Sequence, residues 1–293
     1  MGDLNAARRR YADSIGKKAG VRSDRLIQAL AEVPRENYLG PGPWKIHRPP
    51  NLWQYENTLD GDPAQIYDDV LVALDAGKSL NNGMPSGLAA WIDALDPQEG
   101  EHVLHAGCGT GYYTAIIAHV VGENGRVTAI EFERELAARA SANLRHFPQV
   151  EVIAGNASTH DAGKVDGILI NAGATHPLPL WLDSLKPRGR LVFPLIRWPE
   201  GSKFGSGVGG FGVMLRVQRL DAGYTAKFVS QIGIFPCLSA LDLEADRLLA
   251  EAFARGPLLE VRSLRLEAHE TDALCLLHGH GYCFSKLEIS GSH

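Results

Sequence analysis

The stretch from residue 102 to residue 114 constrains the fold more than any other part of this 293-residue chain. An apolar strand there runs directly into Gly107, Gly109 and Gly111, and a helical pattern follows over residues 112–121. Glycine lets the backbone turn tightly and approach a ligand closely, and the start of a helix offers free N–H groups. The sequence therefore predicts a strand, a ligand-binding turn and a helix in direct succession.

Strands and helices continue to alternate after this turn. The run Val165–Ile170 is almost continuously apolar, as expected for a strand that is buried on both faces. Such alternation favours a parallel sheet with helices on both faces, which is a doubly wound α/β fold. The predicted strands lie at 102–106, 125–131, 150–154, 165–170 and 190–195, and the helices between them at 112–121, 134–146 and 179–185.

The segments before the glycine turn predict helices and a long loop. Apolar spacing predicts helices at 4–19 and 23–33, and a further helix is predicted at 86–95. Residues 45–66 contain several prolines and aromatic residues without a clear period, so we expect a loop there. Its aromatic side chains could line a substrate cleft or simply pin the loop to the core. Alternating apolar residues predict a short strand near 70–74.

The segments after residue 195 predict a different pattern from the alternating core. Residues 213–220 and 225–234 are expected to form an antiparallel pair, and 242–255 a helix. Three short strands are predicted at 258–267, 273–278 and 282–287. The chain is accordingly divided into N-terminal helices with a substrate-side loop at 1–84, a core at 85–238 and a small α+β extension at 239–293.

Composition excludes several classes of protein. The net charge of −5 and the pI near 6.1 argue against a nucleic-acid partner. No apolar run reaches the length of a membrane span, and no secretory leader is recognised. None of the four cysteines forms a C-x-x-C pair, so no metal site is predicted. These features indicate a reduced, soluble, cytoplasmic protein, whose oligomeric state is left open.

The spacing of the glycines distinguishes two kinds of nucleotide cofactor. Dinucleotide sites prefer G-x-G-x-x-G, whereas this turn reads G-x-G-x-G, a spacing that better fits S-adenosylmethionine. Glu131 ends the second strand, where a carboxylate can accept both hydroxyls of a ribose. Phe132 could lie against an adenine ring, and the amide of Asn156, after the third strand, could bind the adenine edge. Structural roles for both residues stay open.

Seven parts of the chain carry a recognisable pattern: Val33–Leu39, Tyr67–Asn81, Val103–Tyr112, Glu131, Gly155–Asn156, Asp166–Ala174 and Leu185–Pro194. Together they resemble class I S-adenosylmethionine-dependent methyltransferases, and more narrowly the protein-L-isoaspartate O-methyltransferase family. The resemblance implies a seven-stranded, Rossmann-like sheet that binds S-adenosylmethionine and methylates a carboxylate of a protein or peptide. Methyl transfer to an ionised carboxylate needs orientation and exclusion of water rather than a strong base.

The resemblance assigns residues to the two halves of the site. Ser79 and Asn81 are expected to orient the acceptor carboxylate, and Asn81 replaces the serine of the family's Q-T-I-S motif. Asn171 and His176 follow the fourth strand, where the carboxyl ends of the strands form the site. His176 is a candidate for contact with the substrate, not with the cofactor. The expected cofactor residues are Gly107, Cys108, Gly109, Gly111, Tyr112, Glu131, Phe132, Asn156, Ala157 and Asn171.

Departures from the family's pattern keep other functions open. His105 stands where the family has an acid, and Asn156 stands where it usually has an aspartate. The acceptor could therefore be a small molecule or a biosynthetic peptide, or the chain could be a silent protein that only binds the cofactor. A nicotinamide oxidoreductase is disfavoured by the glycine spacing.

Overall fold

A computed structural model describes residues 3–49, 51–198, 209–256 and 258–289, without the side chains of residues 51–53 and 238. Contacts divide the chain into two units, residues 1–156 and 157–293. The three-part division at residues 84 and 238 stays a prediction. No helix in the described ranges is long and apolar enough to cross a membrane.

Two capped helices open the first unit, as the sequence predicts. Helix α1 (Leu4–Ala19) begins after Asp3, whose side chain accepts backbone N–H bonds from the first turn, and ends at Gly20. Helix α2 (Asp24–Glu32) is capped in the same way by Ser23. Caps satisfy N–H groups that have no partner within the helix, so they fix where each helix begins.

The predicted loop at 45–66 is wrong, because this segment contains two strands of a small antiparallel sheet. Strands β1 (Lys45–Arg48), β2 (Asn51–Asn57), β3 (Leu71–Asp75) and β4 (Leu80–Asn81) pair in the order β2-β1-β3-β4. Trp44 and Ile46 are buried together with Val70 and Val72. Strand β1 has only four residues, so its alternation of buried and exposed side chains is too short to be recognised among the prolines. Trp44, which directly precedes the predicted loop, packs in the same buried cluster as Ile46.

The rest of the first unit follows the predicted alternation. Helix α3 (Pro85–Leu95) leads to β5 (His102–Ala106), α4 (Tyr112–Val121), β6 (Arg126–Glu131), α5 (Arg134–Asn143) and β7 (Val150–Ala154). Strand β6 lies between β5 and β7, and both pairings are parallel. The ends of β5, β6 and β7 therefore meet at one edge, where Glu131 is the last residue of β6 and Gly107 and Asn156 follow β5 and β7.

The second unit combines one parallel pair with an antiparallel series. Strand β8 (Val165–Ile170) and helix α6 (Pro179–Ser184) precede β9 (Leu185–Arg197), which is parallel to β8. Strands β10 (Gly210–Leu220) and β11 (Gly223–Ile234) form the predicted antiparallel pair. After α7 (Leu243–Ala254), the short strands β12 (Ser263–Arg265), β13 (Cys275–Gly279) and β14 (Tyr282–Ser285) continue in the order β11-β12-β14-β13.

Candidate functional site

The turn after β5 depends on backbone conformations that favour glycine. Gly107, Gly109 and Gly111 all have positive φ, at 75°, 58° and 94°. A Cβ atom on Gly111 would also lie 2.7 Å from Leu144 Cδ1, in the chain that follows α5. The glycines therefore hold the start of α4 close to its neighbours, while the N–H groups of Gly107 and Gly111 donate to the carbonyls of Ile130 and Cys108.

Glu131 is tied to this turn by backbone hydrogen bonds. Its Oε2 accepts from Gly109 N at 2.7 Å, and its Oε1 accepts from Glu133 N at 3.0 Å. Burial raises the pKa of Glu131, whereas these N–H groups favour the ionised form. A carboxylate has about four lone-pair positions, so these backbone bonds do not use up its capacity to accept from hydroxyl groups of a ligand.

A cleft of about 540 Å³ opens at Phe132, the residue after Glu131; Glu131 itself is buried and is not among the residues lining it. Phe132, Ala154, Gly155 and Asn156 line it, together with Lys78 and the residues Glu133–Glu135. The ring of Phe132 is 64% exposed. A large apolar ring exposed in a cleft marks a surface that can stack against a flat ligand.

Ser79 and Asn81 lie on the segment that continues from Lys78. Ser79 has a positive φ of 57°, and the Asn81 side chain accepts from Gly83 N at 2.9 Å and donates to the Ser79 carbonyl at 3.4 Å. Both side chains are half-buried and belong to the same unit as the cleft, but neither is among the residues lining it. Their catalytic role stays a prediction.

Two predicted cofactor residues have buried side chains. Tyr112 packs against Tyr38 and Tyr113, and its hydroxyl is 3.4 Å from that of Tyr11. Burial raises the pKa of the Cys108 thiol and keeps it neutral. Any contact of Cys108 or Tyr112 with a ligand in the cleft would therefore come from their backbone rather than their side chains.

His105 is fully buried and neutral at the end of β5. Its Nδ1 lies 2.9 Å from Thr114 Oγ1, and its Nε2 is buried without a hydrogen-bond partner among the described residues. Burial lowers the pKa of His105 to about 4, because the charged form loses its hydration. This position therefore supplies no charge near neutral pH, unlike the acid of the family's pattern.

Replacing His105 with glutamine should remove part of the acid sensitivity of folding. The folded pKa is about 4 and the reference value is 6.5, so the unfolded chain binds an extra proton between these values. Stability therefore falls as the pH drops below 6.5 toward 4. Between about pH 7.5 and about pH 5, the wild type should lose about 2 kcal/mol more unfolding free energy than His105→Gln. Urea unfolding measures this difference; equal losses in both proteins would contradict it.

Three further candidates lie in the second unit. Asn171 directly follows β8, and the Ala157 carbonyl accepts a hydrogen bond from Trp181 Nε1 at 3.0 Å. His176 stacks on Tyr282, with ring centroids 6.3 Å apart, and burial lowers the pKa of His176. For Ala157 and Asn171 the cofactor role, and for His176 the substrate role, stay predictions.

Sequence reasoning gave no role to Lys78 and Arg35. Lys78 lines the cleft and forms an ion pair with Glu133 at 2.7 Å. Arg35 is fully buried and donates to several carbonyl groups that precede β3. Both residues lie in stretches that resemble the family, and this position could have singled them out. The sequence does not show, however, which groups their side chains contact.

Known proteins share this sequence pattern. Residues 61–202 match the family model described as protein-L-isoaspartate(D-aspartate) O-methyltransferase. The chain is 31% identical over 204 residues to protein-L-isoaspartate O-methyltransferase 2 of Archaeoglobus fulgidus, covering 67% of this chain and 83% of the relative. The corresponding protein of Methanopyrus kandleri is 29% identical over 194 residues, with coverages of 64% and 76%.

Solved structures confirm the predicted Rossmann-like α/β fold. One protein-L-isoaspartate O-methyltransferase superposes with a TM-score of 0.60 at 21% identity, covering 84% of this chain and 69% of that chain. A second, from Plasmodium falciparum in complex with S-adenosyl-L-homocysteine, gives a TM-score of 0.57 at 14% identity, with coverages of 78% and 97%. At these identities the likeness concerns the fold alone.

Proposed function

Because the chain belongs to the protein-L-isoaspartate O-methyltransferase family, we propose that it methylates an isoaspartyl carboxylate of a protein or peptide, using S-adenosylmethionine. The observation that carries this proposal is the cleft beside Glu131, in which the exposed ring of Phe132 stands with Asn156. Together these residues offer a carboxylate, an apolar face and an amide.

The residues of the cleft, together with Glu131 next to Phe132, fit the chemistry of S-adenosylmethionine. Glu131 would accept the ribose hydroxyls, Phe132 would stack on the adenine and Asn156 would bind its edge. The glycine turn, which lacks side chains at Gly107, Gly109 and Gly111, would let the methionine part of the molecule approach the backbone closely. When bound, S-adenosylmethionine supplies an electrophilic methyl group on a sulfonium.

The residues of this chain then contribute binding and orientation. An acceptor carboxylate is ionised near neutral pH, so no side chain has to remove a proton before transfer. Holding two reactants in line can supply about 7–11 kcal/mol of the barrier. We assign Ser79 and Asn81 to the orientation of the acceptor. Lys78 also lines the cleft, where its charge is balanced by the ion pair with Glu133.

The acceptor class and the compartment belong to the same proposal. A protein or peptide acceptor follows from the family, and all four cysteines are free. Free thiols are typical of a reducing compartment, so we place the protein in the cytoplasm.

A methyl-transfer assay tests the function. The full chain is incubated with tritiated S-adenosylmethionine and either an isoaspartyl peptide or the same peptide with a normal aspartyl bond. We expect label in the isoaspartyl peptide and little in the control peptide. Tight binding of S-adenosylhomocysteine without transfer to either peptide would remove the isoaspartyl proposal and favour another acceptor or a silent binding protein.

Replacing Phe132 with alanine should weaken cofactor binding without unfolding the chain. The ring is 64% exposed, so its removal leaves no cavity in the core. Stacking of an aromatic ring on a base contributes about 1–3 kcal/mol, which corresponds to about a 5- to 150-fold rise in Kd for S-adenosylhomocysteine. Calorimetry measures the change. The matched control is Phe211→Ala, which removes a ring that is 57% exposed on β10; equal Kd values for both variants would contradict the stacking role.

Replacing Asn81 should lower the turnover rate and leave the affinity for the cofactor nearly unchanged. We expect Asn81→Ala to lower kcat by about 10- to 100-fold, because a misplaced acceptor costs about that much, while Kd for S-adenosylhomocysteine stays within about twofold. Asn81→Ser, which introduces the hydroxyl found in the family motif, should lose less activity than Asn81→Ala. An unchanged kcat in Asn81→Ala would exclude Asn81 from the orientation of the acceptor.

A further inference from the structure

Four potential metal ligands meet in the second unit. We name His269, Cys275, His278 and Cys283 the Cys–His cluster; each offers one ligand atom, and these atoms lie within 4.8 Å of one another. We propose that the Cys–His cluster binds a structural Zn²⁺ ion. The proposal is independent of methyl transfer, since all four residues lie outside the cofactor cleft.

The short C-terminal strands bring the cluster together. Cys275 and His278 lie on β13, and Cys283 on β14 is the register partner of His278. Strand β12 pairs with β14 on its other side. His269 comes from the connection between β12 and β13. The ligands therefore come from two adjacent strands and one connection, and a bound ion would fasten that connection to the sheet.

The observed spacing fits tetrahedral coordination. Zinc lies about 2.3 Å from cysteine sulfur and about 2.0–2.1 Å from histidine nitrogen, so ligand atoms around it are separated by about 3.3–3.8 Å. Cys275 Sγ and His269 Nε2 are 3.6 Å apart. The widest separation in the cluster, at most 4.8 Å, needs only a contraction of about 1 Å to reach this range.

Neighbouring groups orient two of the ligands as a metal site requires. The Nδ1–H of His269 donates to the Glu267 carbonyl at 2.8 Å, which leaves the lone pair of Nε2 directed toward Cys275. The backbone N–H of Asp272 donates to Cys275 Sγ at 3.4 Å, and the Cys275 thiol donates to Asp272 Oδ1 at 3.4 Å, a proton that it would give up on binding a metal.

A buried imidazole nitrogen supplies an independent observation. Within the part of the chain that the structure describes, His278 Nδ1 is buried and has no hydrogen-bond partner. Leaving a polar atom unsatisfied in the interior costs free energy, so such atoms call for an explanation. A metal ion bound to His278 through this nitrogen would give it a partner.

The donor set favours zinc in a structural role. Two cysteines and two histidines form a site type typical of zinc, and four protein ligands leave no open position for a substrate. Binding would release one proton from each thiol, so that two thiolates balance the charge of the ion. The sequence pattern of the cluster is H-x5-C-x2-H-x4-C. It contains no C-x-x-C pair, and for that reason the sequence alone predicts no metal site.

The first test is the metal content of the wild-type chain. The tag-free full chain is produced with added zinc, separated from free metal by gel filtration and analysed by plasma mass spectrometry. We expect one zinc ion per chain. After removal of zinc by a chelator, added Co²⁺ should give the strong visible absorption of a tetrahedral thiolate site. Absence of both zinc and this absorption, or a disulfide between Cys275 and Cys283 in the isolated protein, would overturn the proposal.

Variants then assign the ion to the cluster. Cys275→Ser and His269→Gln should each lose zinc and the Co²⁺ absorption; His269 lies outside the helices and strands, so its replacement leaves the sheet intact. The matched controls are Cys237→Ser and His280→Gln, which alter a free cysteine and an exposed histidine outside the cluster. They should retain one zinc ion. Full zinc content in both cluster variants would contradict the assignment.

Discussion

Replacing Glu131 with alanine should raise the Kd for S-adenosylhomocysteine by about 10²- to 10⁴-fold. Two hydrogen bonds to an ionised carboxylate contribute about 1.5–3 kcal/mol each, and every 1.4 kcal/mol is tenfold in affinity. Glu131 also holds Gly109 N at 2.7 Å, so the substitution loosens the turn as well as the ribose site. Calorimetric titration measures the affinity.

Two further variants separate the ribose contacts from general effects of charge. Glu131→Gln keeps the size of the side chain and one acceptor oxygen, so we expect an intermediate loss of affinity. Glu151→Ala removes an exposed carboxylate on β7 that pairs with Arg126, and it should leave Kd nearly unchanged. A Glu131→Ala variant that binds as tightly as the wild type would exclude Glu131 from the cofactor site.

Replacing Arg35 with leucine should reduce the unfolding free energy by about 3–5 kcal/mol, because it leaves the buried polar partners of Arg35 without a hydrogen-bond donor. The guanidinium is fully buried and donates to the carbonyls of Ile66, Asp68 and Val70 and to Asn82 Oδ1, at 2.6–3.2 Å. These partners flank β3, which leads to the segment containing Lys78 and Asn81. Urea unfolding measures the loss.

The matched control for this variant is an exposed arginine in the same unit. Arg25 is half-exposed and forms an ion pair with Glu99 at 3.0 Å. Arg25→Leu should change the unfolding free energy by about 1 kcal/mol or less. If both substitutions had equally small effects, the hydrogen bonds of Arg35 would not hold this segment together.

The core of the first unit could be predicted because its signals are local. Glycine spacing, apolar runs and caps each lie within a few residues, and β7 (Val150–Ala154) has the predicted bounds. The position of the site then follows from the rule that ligands bind where parallel strands end. The same rule singled out Glu131, Phe132 and Asn156, and the last two line the cleft.

Other features could not be predicted because they depend on distant contacts. Ile46 is buried against Val72, more than twenty residues away, and that pairing rather than local pattern makes a strand of the predicted loop. The Cys–His cluster arises only when β13 pairs with β14 and the preceding connection folds back. The sequence likewise does not show that Arg35 donates its hydrogen bonds to backbone carbonyl groups.

A crystal structure of the chain with S-adenosylhomocysteine would show whether Glu131 and Phe132 bind the cofactor. We expect adenine against the ring of Phe132, both ribose hydroxyls within hydrogen-bond distance of the Glu131 carboxylate, and the adenine edge near the Asn156 amide. Density for the ligand elsewhere, or bound in this cleft with its ribose hydroxyls away from Glu131, would contradict this expectation.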